Sequence, residues 1–227
     1  AIAATVDVIL SRSITGNSIG AKLTIPQGTL FTDSSGNSWL SARDVTWYSN
    51  VTTCKVPIIQ HEKYTASALN NMVIPTGDRV IIHLGTLPNG KYYEQGSMSL
   101  QIGGETWVLV DTFAKSKPTD KHFMVSVDEA LNPYIMFGDG TFGKKPAAGA
   151  KITNVVFYLT NGTQGNVKSN TITSVPSVIS SSITDATVSN AYDAGGGSNY
   201  ENFTMLKEHI PLSVKTLGVA ITKEDFE

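Results

Sequence analysis

Short segments separated by turn-forming residues are the feature that most constrains how this chain folds. Residues 5–11 alternate, with Val6, Val8 and Leu10 on one face, which is the period of a half-buried strand. The segments at residues 97–102 and 105–110 flank Gly103-Gly104, a pair that suits two-residue hairpin turns because such turns need positive φ. Since segments this short are typical of strands, the chain is predicted to be mainly β.

The same pattern predicts further strands along the chain. Residues 51–59, 79–84, 123–127 and 134–137 are candidates, and residues 169–178 are predicted to be extended. Residues 152–159 are apolar on both faces, which predicts a strand buried on both sides.

The pattern changes near the end of the sequence. Gly195-Gly196-Gly197 is predicted to be a flexible break, and Ser198 with Glu201 forms a capping box for a helix that runs to about Ile210. The predicted fold is therefore mainly β, with small sandwich- or barrel-like modules built from hairpins and a C-terminal helical segment. The predicted modules are residues 1–90, residues 91–190, and residues 191–227 as a glycine hinge and helical exit.

Both ends of the sequence lead us to expect an internal fragment of a larger protein. Residues 1–10 are already strand-like, without an initiator Met. Near the other end, Thr222 and Asp225 resemble the start of a helix that the sequence does not continue.

Composition argues against several classes of function. The formal net charge of −2 gives no electrostatic footprint for nucleic acid or an acidic membrane surface. No apolar run approaches the roughly 20 residues that span a bilayer. The one cysteine, Cys54, cannot form a disulfide within the chain and is predicted to be a semi-buried strand residue.

Motifs for catalysis are weak throughout the sequence. No two of the four histidines form a local metal-binding pair, and no GxSxG elbow occurs. Asp139 lies between two glycines without the further acids of a calcium loop, so a turn aspartate is expected. We therefore predict a protein that is not an enzyme and has no cofactor. Two alternatives stay open: a carboxylate pair from Asp111, Asp128 and Glu129, and a sugar-stacking platform from Trp39, Trp47 and Trp107.

An ordered set of motifs resembles the baseplate J-like family, the wedge subunits of contractile phage tails and related injection systems. The set comprises FGDGTFG at residues 137–143, Pro146 and Gly149, the apolar segment 152–158, Asn161-Gly162, and GNV at residues 165–167. The upstream IPQGTLF at residues 25–31 and the exit segment at residues 195–226 are also similar to that family.

The resemblance implies a structural subunit of the tail baseplate in the virion, which scaffolds assembly and takes part in the conformational change on host attachment. It implies self-association and contact with other wedge subunits, without nucleic acid, membrane insertion or a small-molecule substrate. The alternative is a receptor- or carbohydrate-binding tail module. Phe137 and Phe142 are expected to anchor the turn to a core or to a neighbouring subunit. The motif residues with an expected structural role are Phe137, Gly138, Asp139, Gly140, Phe142, Gly143, Gly165 and Asn166.

Overall fold

The computed structural model describes residues 1–13, 22–66 and 69–200, and within them the chain is mainly β, as predicted. Helical segments among these residues include the short helix α1, Ser177–Ser180, and a 3-10 turn at Gly162–Gly165. No helix among these residues is long and apolar enough to cross a membrane. The strands are β1 Thr5–Ser11, β2 Lys22–Ile25, β3 Leu30–Thr32, β4 Ser38–Ser41, β5 Val45–Tyr48, β6 Thr53–Ile59, β7 Glu62–Thr65, β8 Ile81–His83, β9 Tyr92–Tyr93, β10 Ser99–Ile102, β11 Glu105–Leu109, β12 His122–Val127, β13 Pro133–Phe137, β14 Ile152–Thr160 and β15 Thr187–Ser189.

The first sheet has the strand order β15-β1-β6-β4-β3, and the two-stranded sheet β2-β5 accompanies it. Val8 and Leu10 on β1 are fully buried, as the alternating pattern predicts. They join a core that also contains Trp39 and Trp47. Residues 170–172 lie against both outer strands of this sheet, because Ile172 pairs with Asp33 after β3 and the Asn170 amide donates to Asn190 O after β15 (2.8 Å).

The second sheet has the strand order β7-β14-β10-β11-β12-β13-β8, with β9 also paired to β14. The predicted Gly103-Gly104 hairpin joins β10 to β11, and both glycines have positive φ. The core of this sheet includes Trp107, Phe123, Phe137 and Phe157, all buried.

The sheets group the chain differently from the predicted modules 1–90, 91–190 and 191–227. β7 and β8 precede residue 90 yet pair within the second sheet, whereas β15 returns to pair with β1 in the first. The physical reason is that strands pair so that their apolar side chains are buried in a common core, whether or not the strands are close in sequence.

A buried polar joint connects the two sheets where the chain passes between them. Gln60, which is fully buried, follows β6. Its Oε1 accepts hydrogen bonds from Thr160 Oγ1 (2.9 Å) and from the backbone amide of Asn161 (2.6 Å). The backbone amide of Gln60 donates to Ala4 O (2.9 Å), and the side-chain Nδ2 of Asn161 donates to Asn37 Oδ1 (2.6 Å). The segment that leaves the first sheet after β6 and the segment that returns after β14 are thus hydrogen-bonded to each other.

Two predicted segments differ from the observed fold. A bulge at Asn154 (φ 54°) shifts the register in β14, so that Val155, Phe157 and Leu159 are buried while Val156 and Tyr158 are half-buried. The prediction of a strand buried on both sides was therefore wrong. Residues 169–178 form only an isolated bridge at Ile172 and then begin α1 after Pro176, whose fixed φ suits the start of a helix.

The predicted glycine hinge is paired backbone. Thr5 and Gly195 exchange two hydrogen bonds (2.8 and 3.1 Å), and so do Ile2 and Ser198 (2.9 and 3.0 Å). The prediction of a flexible break was therefore wrong for these glycines. The helix predicted to begin at Ser198 and to run to about Ile210 lies, from residue 201 onward, outside the described residues.

Candidate interaction site at the FGDGTFG loop

Phe137 connects this loop to the core of the second sheet. Its side chain is 6% exposed, and its ring meets Trp107 edge-on, with the centroids 5.4 Å apart. Phe123, which lies opposite Phe137 in the β12–β13 register, contacts the same ring. The expected anchoring of Phe137 in a core is confirmed, and the loop therefore leaves the sheet from a fixed point.

Gly138 and Gly143 let the two ends of the loop touch. A Cβ built on Gly138 would lie 2.3 Å from Gly143 O and 2.6 Å from Phe142 O, both backbone atoms that cannot move away alone. Gly143 has a φ of +83°, and its own Cβ would lie 3.2 Å from the Phe113 ring. The Gly140 amide, at a residue with a φ of +94°, donates to Gly143 O (3.0 Å). These positions require glycine for close approach and for the left-handed backbone.

Asp139 organises the middle of the loop. Its Oδ1 accepts hydrogen bonds from the backbone amides of Phe142 (2.9 Å) and Thr141 (2.8 Å). These hydrogen bonds, with a smaller contribution from the charge of Arg79, hold the pKa of Asp139 below its usual value. The carboxylate therefore acts as the turn aspartate that the sequence predicts.

Phe142 is 54% exposed, in contrast to Phe137. It lies at a groove of about 570 Å³ next to the loop. Ile81, Met136 and Met124 stand opposite one another on the neighbouring strands β8, β13 and β12, and they form an apolar row along this groove. Phe113 and Ala114, which follow β11, line it as well, and Arg79 and Asp139 supply one charge of each sign.

The groove is therefore an apolar surface that is open to solvent beside a rigid loop. Methionine side chains adapt to the shape of what they contact, and a half-exposed aromatic ring gains free energy when a partner buries it. Its chemistry suits docking of apolar side chains from a protein partner. The sequence singled out Phe142 but missed Ile81, Met124 and Met136, although the alternation in residues 134–137 placed Met136 opposite the buried face.

Gly165 and Asn166 lie apart from the FGDGTFG loop, near the joint between the sheets. A Cβ on Gly165 would approach Ala4 Cβ at 3.2 Å and Gln60 Oε1 at 3.3 Å. The Asn166 side chain pairs with Gly197 in both directions, because Nδ2 donates to Gly197 O and the Gly197 amide donates to Oδ1, each at 2.9 Å. These residues fix the return of the chain and contribute nothing to the groove.

The sugar-stacking alternative is not supported by its candidate residues. Trp39, Trp47 and Trp107 are buried (0%, 0% and 4% exposed), so the sugar-stacking platform predicted as an alternative was wrong for these three residues. The Asp128 carboxylate accepts hydrogen bonds from the amides of Ala130 and Asn132 (both 2.9 Å), as in a loop-forming aspartate.

Two histidines make polar contacts elsewhere. His122 Nδ1 and Ser116 Oγ are 2.8 Å apart, but Ser116 is only 8% exposed, which suits a loop contact better than a nucleophile. His61 contacts Glu94 and stacks on Tyr158. Within residues 1–13, 22–66 and 69–200, no group of three His, Cys, Asp or Glu side chains could hold a metal ion.

No known protein-family model matches the chain, and no curated protein matches its sequence. The resemblance given by the motifs therefore stays a prediction.

Proposed function

We propose that this chain is a structural subunit of a phage tail baseplate wedge that scaffolds baseplate assembly and its conformational change on host attachment. The observation that carries the proposal is the exposure of Phe142 beside the apolar groove, at the loop whose sequence resembles the baseplate J-like family. The other loop residues described above fix the conformation of the loop, so Phe142 is the residue that we propose contacts a partner.

The proposed contact is a protein–protein interface. Burying a fully exposed phenylalanine side chain contributes on the order of 1.5–3 kcal/mol, and because Phe142 is 54% exposed, covering the rest of it contributes roughly half of that, which suits an aromatic anchor in an apolar groove. The partners are further copies of the subunit and the other wedge subunits. The protein is proposed to be non-enzymatic and to reside in the tail baseplate of the virion.

The buried joint around Gln60 supports a rigid scaffold in this role. Its hydrogen bonds cross between the two sheets, so a movement of one sheet is transmitted to the other. Conformational change in the baseplate would then occur by rigid-body movement at the interfaces between subunits.

Co-expression of this protein with other baseplate wedge proteins tests the proposal. Sizing and electron microscopy should detect a wedge, and Phe142→Ser should reduce its yield. Tyr48→Ser is the matched control, because Tyr48 is an aromatic residue of similar exposure (57%) in the other part of the fold. Equal assembly of both variants and the wild type would refute the role of Phe142. Absence of the protein from purified baseplates, when soluble lysate contains it, would refute the function itself.

A further inference from the structure

The outer strands of the two large sheets differ in how they are protected. In the first sheet, residues 170–172 lie against the ends of both outer strands through Ile172 and Asn170. In the second sheet, the outer strand β7 carries two charged residues, and its Glu62 forms an ion pair with Lys91 (3.1 Å). Charged side chains and covering segments are devices that prevent a sheet edge from pairing with another chain.

β8, the other outer strand of the second sheet, lacks these devices. Its sequence is Ile81-Ile82-His83, without a lysine, an acid or a proline, and Ile81 is 47% exposed. An apolar, uncharged edge of this kind can accept a pairing strand, although its length of three residues limits the strength of that pairing.

The hydrogen bonds show which backbone groups of β8 are directed outward. Val80 O accepts from the Phe137 amide (3.2 Å), and the Leu84 amide donates to Pro133 O (3.0 Å). Because hydrogen bonding alternates along an antiparallel pair, Ile82 faces β13 as well, and Ile81 and His83 direct their N–H and C=O groups away from it. Among the described residues, no strand or isolated bridge pairs with that side of β8.

We propose that β8 pairs antiparallel with β8 of a second copy of this chain, about a twofold axis at Ile82. The two outward-facing residues lie symmetrically on either side of Ile82. The twofold axis therefore places Ile81 of each copy opposite His83 of the other, where the pairs exchange four hydrogen bonds. The same segment supplies both halves of the contact, and the pairing joins two eight-stranded sheets into one.

This pairing assigns a surface to the self-association included in the proposed function, and it rests on that proposal for its biological role. Two three-residue strands bury less area than a standard interface, so the isolated pair associates weakly. Within an assembly, other contacts raise the effective concentration of the two edges and so strengthen the pairing.

Sedimentation equilibrium over a roughly hundredfold range of protein concentration tests the pairing. The wild type should shift from monomer to dimer, and Ile81→Lys should weaken the association at least about tenfold. Val108→Lys is the matched control and should leave it unchanged, because Val108 is 54% exposed but lies on β11, inside the same sheet.

His83→Pro is the second variant, because it removes an amide that donates outward and not to β13. Thermal melts identify any variant that unfolds. Hydrogen exchange of the wild type provides a further measurement: the Ile81 and His83 amides should gain protection as concentration rises. Concentration-independent monomer, or a dimer that survives both variants, would overturn the pairing. Ile81 also lines the groove at Phe142, whereas His83 does not, so a dimer that Ile81→Lys weakens and His83→Pro leaves intact would assign the association to the groove and overturn the pairing. Failure of the pairing is thereby distinguished from failure of the proposed function, which the baseplate assembly test decides.

Discussion

Alanine substitutions in Gly195-Gly196-Gly197 should have three different effects, although the sequence presents three identical residues. A Cβ on Gly195 meets nothing within 4 Å. Gly196 also has space, but its φ of +84° is one that alanine rarely adopts. A Cβ on Gly197 would lie 2.4 Å from Gly162 O and 2.9 Å from Asn166 Oδ1, closer than the ordinary contact distance of 3.4–4 Å.

These contacts set the expected loss in the free energy of unfolding. Gly195→Ala should change it by about 0.5 kcal/mol or less, as for a substitution without contacts. Gly196→Ala should cost about 1–2 kcal/mol for the left-handed backbone. Gly197→Ala must displace backbone and weaken the two 2.9 Å hydrogen bonds with Asn166, at about 1 kcal/mol each, so a total of about 2–4 kcal/mol is expected.

Urea unfolding followed by circular dichroism measures the series, with unfolding midpoints compared at a constant m-value. The order of stability should be wild type and Gly195→Ala first, then Gly196→Ala, then Gly197→Ala. Three small and equal effects would refute the reasoning, because they are what a flexible linker would give. The comparison therefore distinguishes the paired backbone from the hinge that the sequence predicted.

Three further predictions concern single side chains. Burial raises the pKa of Asp33, but hydrogen bonds from Asn37, Trp39 and Ser35 outweigh it and hold this pKa below its ordinary value of 3.8. The stability that the Asp33 carboxylate adds is therefore present at neutral pH and lost as pH falls below about 4. Asp33→Asn should lower the free energy of unfolding by about 1–3 kcal/mol at pH 7 and by less in acid, as measured by urea unfolding at each pH. The exposed control Asp44→Asn should not show this pH-dependent loss. Burial raises the pKa of the Cys54 thiol, which is 8% exposed, so a thiol reagent should react slowly with the native protein and rapidly in denaturant; rapid native labelling would contradict this burial. The Arg12 guanidinium lies 5.0 Å from the Trp47 ring centroid and donates to Ser49 O (2.9 Å) and Tyr48 O (3.1 Å), so Arg12→Met should lower thermal stability by about 1–3 kcal/mol, and an unchanged melting temperature would contradict this role.

Local features of the fold were predictable from the sequence. Strand β1 follows from the alternation of Val6, Val8 and Leu10, and the Gly103-Gly104 hairpin follows from its glycines. At the candidate site, the turn role of Asp139 was also predictable, because it depends on neighbours within three residues.

Long-range features were not predictable in the same way. The pairing of Thr5 with Gly195 joins residues 190 positions apart, and no local pattern in the glycine tripeptide predicts it. The bulge at Asn154 changes which side chains of β14 are buried, although the residues themselves are apolar on both faces. The groove brings together side chains from β8, β12 and β13, so only their register reveals it.

The polar joint around Gln60 has a mechanical consequence. Its acceptor is shared by two donors, and both hydrogen bonds are buried with the Gln60 side chain away from solvent. Bending the chain at this joint would have to break these hydrogen bonds together. A small force is therefore expected to move the two sheets as a unit without changing the angle between them. The two sheets are expected to move as one body, because the joint connects Ala4, at the start of β1, through Gln60 to Thr160 at the end of β14.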